Sequence, residues 1–381
     1  MLVGSRRETR WKPRLLSDHI PTRQNELAAT GLSVILTWAK IRRNNSAMDA
    51  SPLLPLGTAR GQAVAHLRDV DFVDMPVKQI LNRCISPRMP FRWTINPYRG
   101  CEFGCVYCYA RYTHEFLELH DPMDFERRIF VKRMAGEVLQ RTLSRTSVGS
   151  DQIALGTATD PYQPAERKFE LTRSMLEVFA KVGGVNLSIT TKSGLIARDV
   201  DLLQQINRRS HLSVNFSLIT LNRRLQRILE PRAPRPALRL AAIQKLTGAG
   251  IRCNVLMMPM IPGLTDSSVA IEGVIRAARR AGASGVWWRS LFLKPAAARR
   301  FLPFINETFP VEQKRFAEWY SGSAYAPRSY DDSLRPIFDH LKQKYGFGPH
   351  YEREADAKVE QASGRRQGNT PQSVQLRLIN I

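Results

Sequence analysis

Three cysteines fall within the sixteen-residue run Asn96-Pro-Tyr-Arg-Gly-Cys101-Glu-Phe-Gly-Cys105-Val-Tyr-Cys108-Tyr-Ala-Arg111. Thiolates at this spacing can converge on one soft metal centre. Gly100 and Gly104 allow the backbone angles that so tight a wrap needs. Three states of the cluster compete. Structural zinc takes four protein ligands, commonly with a second Cys or His pair. Cys84 and Cys253 stand apart from the run, and His114 is the nearby side chain that keeps zinc open. Unligated cysteines are the plainest alternative. An iron–sulfur cube held by three cysteines leaves one iron free for a small molecule, whereas a fourth thiolate would suit an electron carrier. The donor set favours the cube.

These residues need a fold that is large enough to exclude water around them. A chain of 381 residues with 43% hydrophobic content can bury a full core, and its composition is that of an ordinary globular protein rather than a disordered one. Five cysteines, an odd count with tight clustering, argue against a secreted disulfide framework and for a reducing compartment, so cytoplasm is the expected location. The early apolar stretch Leu32–Ala39 is far short of the roughly 20 residues that cross a bilayer and lacks a small-residue cleavage site. Lys and Arg outnumber Asp and Glu by 57 to 34, a formal charge of +23. Such an excess attracts polyanions, nucleic acid first among them, although an Arg-rich proteome would leave the same mark.

Short strand-like runs alternate with helix-like runs from about Pro90, the signature of a parallel α/β sheet or barrel. The expected strands are Arg92–Asn96, Gln152–Gly156, Asn186–Thr191, Leu212–Ile219, Arg252–Met258 and Gly285–Phe292. Several are apolar almost throughout, as strands covered on both faces are. Helical spacing marks Leu171–Val182, Asp199–Arg209, Pro236–Ala249 and Asp266–Ala281, with Asp266 and Ser267 as caps of the last. Six strand–helix units make an α/β fold of the partial (β/α)6 TIM type, with the chemistry at the carboxyl ends of the strands.

The expected organisation is a basic N-terminal region over residues 1–75, a barrel over 76–295 and a helical C-terminal extension over 296–381. The pattern is less regular after about Pro295, with helices near Glu312–Tyr320 and Asp332–Tyr345 and a polar tail from Glu352. Met48 is an alternative translation start.

The segments NPYRGCEFGCVYCYAR, GTATDPYQPAER, TTKSGLIARDVDLL and ILEPRAPRP together resemble the spore photoproduct lyase-like group of the radical S-adenosylmethionine (SAM) superfamily, in its branch outside spore formation. The similarity runs from about Ile80 to Leu293. It implies a 4Fe-4S cluster on Cys101, Cys105 and Cys108, with SAM chelating the open iron and an electron cleaving it to methionine and a 5′-deoxyadenosyl radical. It also implies a reductant such as flavodoxin or ferredoxin.

The resemblance places the methionine end of SAM at Thr157, Thr159 and Asp160, whose oxygens can accept from an ammonium. A helix-capping turn is the other reading of that segment. Lys192 is either a partner of the SAM carboxylate or a solvated loop charge. Asn215 and Ser217 lie two apart on one strand face, and Ser217 matches the ribose-contacting position or is simply a small interior residue. Tyr107 and Tyr109 flank the last cysteine, where they either relay a hydrogen atom or pack around the cluster. Pro259, Ile261, Pro262 and Gly263 would wall the adenine.

One departure stands out. Spore photoproduct lyase uses a further cysteine, between the cluster and the third strand, as hydrogen donor; this chain has none between Cys108 and Cys253. The expectation is therefore a radical SAM enzyme, with DNA lesions or other nucleic acid as substrate. RNA, protein or metabolite modification and a zinc-stapled nucleic-acid-binding protein are the rivals.

Overall fold

The loops that could do chemistry hang from one run of parallel strands. The computed structural model describes residues 63–67, 69–86 and 89–348. Its strands are β1 (Ala63–Leu67), β2 (Val70–Asp74), β3 (Leu81–Arg83), β4 (Trp93–Ile95), β5 (Tyr98–Arg99), β6 (Arg128–Val131), β7 (Gln152–Leu155), β8 (Asn186–Thr191), β9 (His211–Ser217), β10 (Arg252–Met260) and β11 (Gly285–Ser290). The larger sheet has the order β11-β10-β9-β8-β7-β4-β3. Its pairs are parallel except for β3, which runs antiparallel to β4. All six expected strands are in it, as β4, β7, β8, β9, β10 and β11. The sheet does not close on itself, so the architecture is a partial TIM-type barrel.

Each parallel strand shows one apolar and one more polar face. Leu212, Val214 and Phe216 of β9 and Cys253, Val255 and Met257 of β10 are buried. Full burial of each such side chain contributes about 1.5–3 kcal/mol. On the other face Asn215 donates to Ser188 Oγ at 2.8 Å, and Asn254 donates to Asn215 Oδ1 at 2.9 Å, with Leu256 an apolar exception on β10. A closed barrel fills its interior with branched apolar layers; here amides and hydroxyls cross three strands instead. That interior suits a polar ligand.

The connecting helices agree with the sequence pattern. Leu171–Val182, Val200–Arg209, Pro236–Gly248 and Ser268–Arg280 are helical, and Ser267 caps the last by accepting from Ala270 N at 3.3 Å. After β11 the chain is more regular than its sequence suggests. Pro295–Thr308 is a continuous helix whose buried positions include Ala297, Phe301 and Ile305, although Pro303 lies inside it. Its start leans back towards the cysteine loop: Lys294 Nζ lies 3.9 Å from the Tyr112 ring centre, and Arg299 pairs with Glu115. The helix Arg328–Lys344 packs on β11, with Phe338 stacked on Trp288 at 4.7 Å.

A smaller sheet has the order β1-β2-β6-β5. It draws Ala63–Asp74, assigned from sequence to the N-terminal region, into contact with β6. Leu32–Ala39, Met48 and the tail from Glu352 lie outside the described residues. No helix among the described residues is long and apolar enough to cross a membrane.

Candidate functional site

The chain enters the cysteine loop from β4 through Asn96-Pro-Tyr-Arg-Gly, a segment anchored by Asn96 and Tyr98. Asn96 donates to Thr157 Oγ1 at 3.1 Å and accepts from Ala158 N at 2.7 Å, while its carbonyl accepts from Lys132 Nζ at 2.7 Å. Tyr98 donates to the buried Glu166 at 2.6 Å. β5 pairs with β6, and Cys101 N donates to Phe125 O at 2.9 Å. Gly100 has φ +89°, and a Cβ there would stand 2.8 Å from Arg128 O, so only glycine fits.

The loop then winds inward. Cys101 and Cys105 are buried and Cys108 is half-buried. Burial pushes the thiol of Cys105 up to about 12 against the pull of Lys192, and it raises Cys101 and Cys108 as well. These thiols hold their protons until a metal takes their place. Arg111 turns back over the loop, donating to Cys105 O at 2.9 Å and pairing with Glu126 at 2.6 Å.

Among the described residues, no three His, Cys, Asp or Glu side chains stand close enough to hold a single metal ion. A cubane asks for a different arrangement, one thiolate on each of three irons. The Nε2 of His114 engages Arg128 O at 2.9 Å. Burial pulls its pKa down to about 4, and the ring packs against Phe125 and Phe130. The donor set is therefore three cysteines on one buried loop, which fits a cube with an open iron.

The expected SAM contacts come together at adjacent strand ends. Thr159 donates to Gly100 O at 2.5 Å, and Gln163 reaches the same carbonyl at 3.2 Å. Glu102 N donates to Gln163 Oε1 at 2.9 Å, so the loop after β7 clamps the cysteine loop directly. Asp160 crosses to β8: it accepts from Thr191 Oγ1 at 2.7 Å, Lys192 N at 2.7 Å and Tyr162 N at 2.9 Å. Gly156, with φ +92°, allows this approach; a Cβ there would sit 2.6 Å from Thr190 O. Ser217, at the end of β9, has its Oγ buried with no hydrogen-bond partner, and so has the Oδ1 of Asn254. Two orphaned polar atoms on a polar interior face suit the hydroxyls and ring nitrogens of a nucleoside.

The two tyrosines differ. Tyr107 is buried, and its hydroxyl donates to Glu230. Tyr109 is 42% exposed, and its hydroxyl donates to Thr157 O. Glu230 is the centre of a network the sequence reading did not assign. It pairs with the buried Arg239, which also donates to Ser217 O at 2.9 Å, and its Oε1 lies 4.0 Å from Lys192 Nζ. Burial alone would raise the Glu230 pKa, but Arg239 and Lys192 outweigh it and hold the carboxyl below its usual value. The signal was present as a carboxylate inside the apolar run Ile-Leu-Glu-Pro.

Comparison with known proteins gives the family and the fold. The family profile of the Radical SAM superfamily matches residues 95–271. An uncharacterized protein of Mycobacterium tuberculosis is 34% identical over 291 residues, covering 76% of this chain and 85% of its own length. One from Methanocaldococcus jannaschii is 26% identical over 241 residues, covering 63% of this chain and 85% of its own. Among solved structures, a cysteine-to-alanine spore photoproduct lyase with dinucleoside spore photoproduct has a TM-score of 0.54 at 15% identity, over 72% of this chain and 79% of that one. A double variant of the same lyase, with bound AdoMet and the dinucleoside, has a TM-score of 0.52 at 17% identity over the same shares. At such identities the likeness is one of fold.

Proposed function

Because this chain belongs to the radical SAM superfamily, we propose that it acts on lesions or bases of nucleic acid, with a 4Fe-4S cluster on Cys101, Cys105 and Cys108. When bound, cluster and SAM supply one-electron reductive cleavage of the sulfonium to methionine and a hydrogen-abstracting 5′-deoxyadenosyl radical. The carrying observation is the three-cysteine loop, buried at the carboxyl end of β4 and clamped by the loop that follows β7.

The chain's own residues bind, orient and shield. Thr157, Thr159 and Asp160 border the place for the ammonium, and Asp160 keeps one lone pair of Oδ2 free after its three bonds. Lys192 offers a cation for the carboxylate end, steadied by Glu230. Ser217 offers an unused hydroxyl to the ribose. Tyr109, next to the third cysteine in the chain, is hydrogen-bonded to Thr157 O.

Nucleic acid is favoured as substrate by the +23 formal charge and the polar barrel interior. The solved lyase with its dinucleoside lesion supports the same class. The absence of a cysteine between Cys108 and Cys253 favours a product radical quenched without a protein thiol in that position.

Anaerobic reconstitution tests the reading. It should give about four irons per chain and a brown colour, and reduced protein should cleave SAM. Deuterium from a labelled thymine photoproduct in DNA should appear in 5′-deoxyadenosine or in returned SAM. Stoichiometric zinc without SAM cleavage would overturn the assignment. SAM cleavage with label transfer only from RNA, a peptide or a metabolite would move the substrate to that class.

A further inference from the structure

The segment 223–235 carries Arg223, Arg224, Arg227, Arg232 and Arg235, and its only acid, Glu230, is buried and already paired with Arg239. Asn222 caps the short helix Arg223–Leu229 by accepting from Arg224 N and Leu225 N at 3.0 and 3.1 Å. Gln226 and Leu229 point inward from this helix and are buried. Arg223, Arg224 and Arg227 are exposed, as are Arg232 and Arg235 beyond it. Taken alone, such a run is an ordinary solvated face.

Its backbone makes it more than that. Leu229 O accepts from Val106 N at 3.0 Å, and Arg232 N donates to Phe103 O at 3.3 Å. Val106 adjoins Cys105, and Phe103 lies midway between Cys101 and Cys105. The basic segment is thus hydrogen-bonded onto the cysteine loop itself. The strand ends themselves hold Ser217 Oγ and Asn254 Oδ1, buried without partners, where SAM and substrate would lie. Reduction needs an approach to the cluster that leaves the place for SAM and substrate clear, and the arginine segment, hydrogen-bonded to Phe103 and Val106, offers one.

Resting on the function proposed above, we infer that Arg223, Arg224, Arg227, Arg232 and Arg235 form the docking surface for a small acidic one-electron carrier protein bearing a flavin or an iron–sulfur group. One electron passes from the reduced carrier to the cluster, the carrier is oxidised by one electron, and no bond forms or breaks in that step. Brief complexes of this kind are small and steered by charge, which suits exposed arginines on a segment hydrogen-bonded to the cysteine loop.

The test uses the reconstituted full chain with Arg223, Arg224 and Arg227 all changed to Glu. The probes are flavodoxin hydroquinone and reduced ferredoxin, with dithionite as a small reductant that needs no docking surface. Cluster reduction is followed by the loss of its visible absorbance, and binding of oxidised flavodoxin by calorimetry. Reversal should slow protein-driven reduction and weaken flavodoxin binding at least about tenfold, because rim charges act mainly on association. Added salt should slow the wild type in the same way, and dithionite should reduce both forms alike. Wild-type rates with both carriers in the variant would overturn the inference. Unchanged carrier rates with lost binding to a DNA duplex would assign the face to nucleic acid. A chain that takes up no iron fails the functional reading itself, whereas an iron-loaded chain indifferent to charge reversal fails only the docking surface.

Discussion

The hydroxyl of Tyr107, between the second and third cysteines of the loop, donates to the buried carboxylate of Glu230, 123 residues further along the chain. This bond joins the first parallel unit to the fourth and makes the geometry of the cysteine loop depend on the Arg239–Glu230 pair. Glu230→Gln leaves Arg239 buried without its counter-charge, and loss of one partner of a buried pair costs about 3–5 kcal/mol. Tyr107→Phe removes one charged-acceptor bond, about 1.5–3 kcal/mol. Urea denaturation of the iron-free chain should give that order. Tyr107→Phe should still assemble the cluster and cleave SAM. If it cleaves SAM but no longer turns over substrate, the hydroxyl relays hydrogen as well as anchoring the loop.

Single replacements should separate the five cysteines. Cys101→Ala, Cys105→Ala and Cys108→Ala should each abolish the brown chromophore and SAM cleavage. Cys253→Ala should keep both, because Cys253 is fully buried on the helix-facing side of β10 and behaves as a small apolar residue. Iron analysis after reconstitution reads this directly. Full iron occupancy in any of the first three variants would break the ligand assignment.

These contrasts show what a single sequence displays. The six parallel strands were legible because each carries apolar residues on one face between turn signals, and Val214, Val255 and Val286 are indeed buried; the polar inner face of Ser188, Asn215 and Asn254 departs from the apolar-throughout expectation. The cysteine motif was legible because its three donors are local. The Glu230–Arg239 pair was not: the apolar run around Glu230 marks its burial, but a long-range partnership leaves no periodic trace that names Arg239 as its partner. Strands β5 and β6, two and four residues long, are too short to show a period. Pro303 hid the helix Pro295–Thr308, because the missing N–H that argues against a helix is tolerated there by packing of Phe301 and Ile305. The role of Asn96 depended on a contact with Thr157 and Ala158 that only the sheet order brings about.

Asp160 offers a test of whether one side chain both clamps and binds. Asp160→Asn replaces an acceptor oxygen with an NH2 group facing Thr191 Oγ1, Tyr162 N or Lys192 N, all of which now donate to the carboxylate. Loss of a charged-acceptor bond costs about 1.5–3 kcal/mol, and thermal or urea unfolding should show it. The remaining Oδ2 lone pair is the one available to an ammonium, so SAM should bind about tenfold more weakly, equivalent to about 1.4 kcal/mol. Equilibrium dialysis with the reconstituted protein measures that. Reduced stability with unchanged SAM affinity would restrict Asp160 to the clamp between β7 and β8.

Lys132 gives the fold a pH dependence of known sign. Burial, with Arg99 adding to it, lowers its pKa from 10.5 to about 7, while its ammonium nitrogen donates to Asn96 O at 2.7 Å. Between about 7 and 10.5 the folded chain has released this proton and the unfolded chain still holds it. The unfolded state then binds more protons, so stability rises with pH across that window and is lost again as pH falls towards 7. Below it both states are charged and the contribution to the slope vanishes. The slope from this one group approaches about 1.4 kcal/mol per pH unit. Lys132→Met should remove it, at the cost of the bond that steadies Asn96 at the mouth of the cysteine loop. Urea unfolding of both forms at several pH values between 6 and 10 isolates the difference, because all other titrating groups are shared. Parallel stability curves would mean that Lys132 keeps an ordinary pKa in the folded chain.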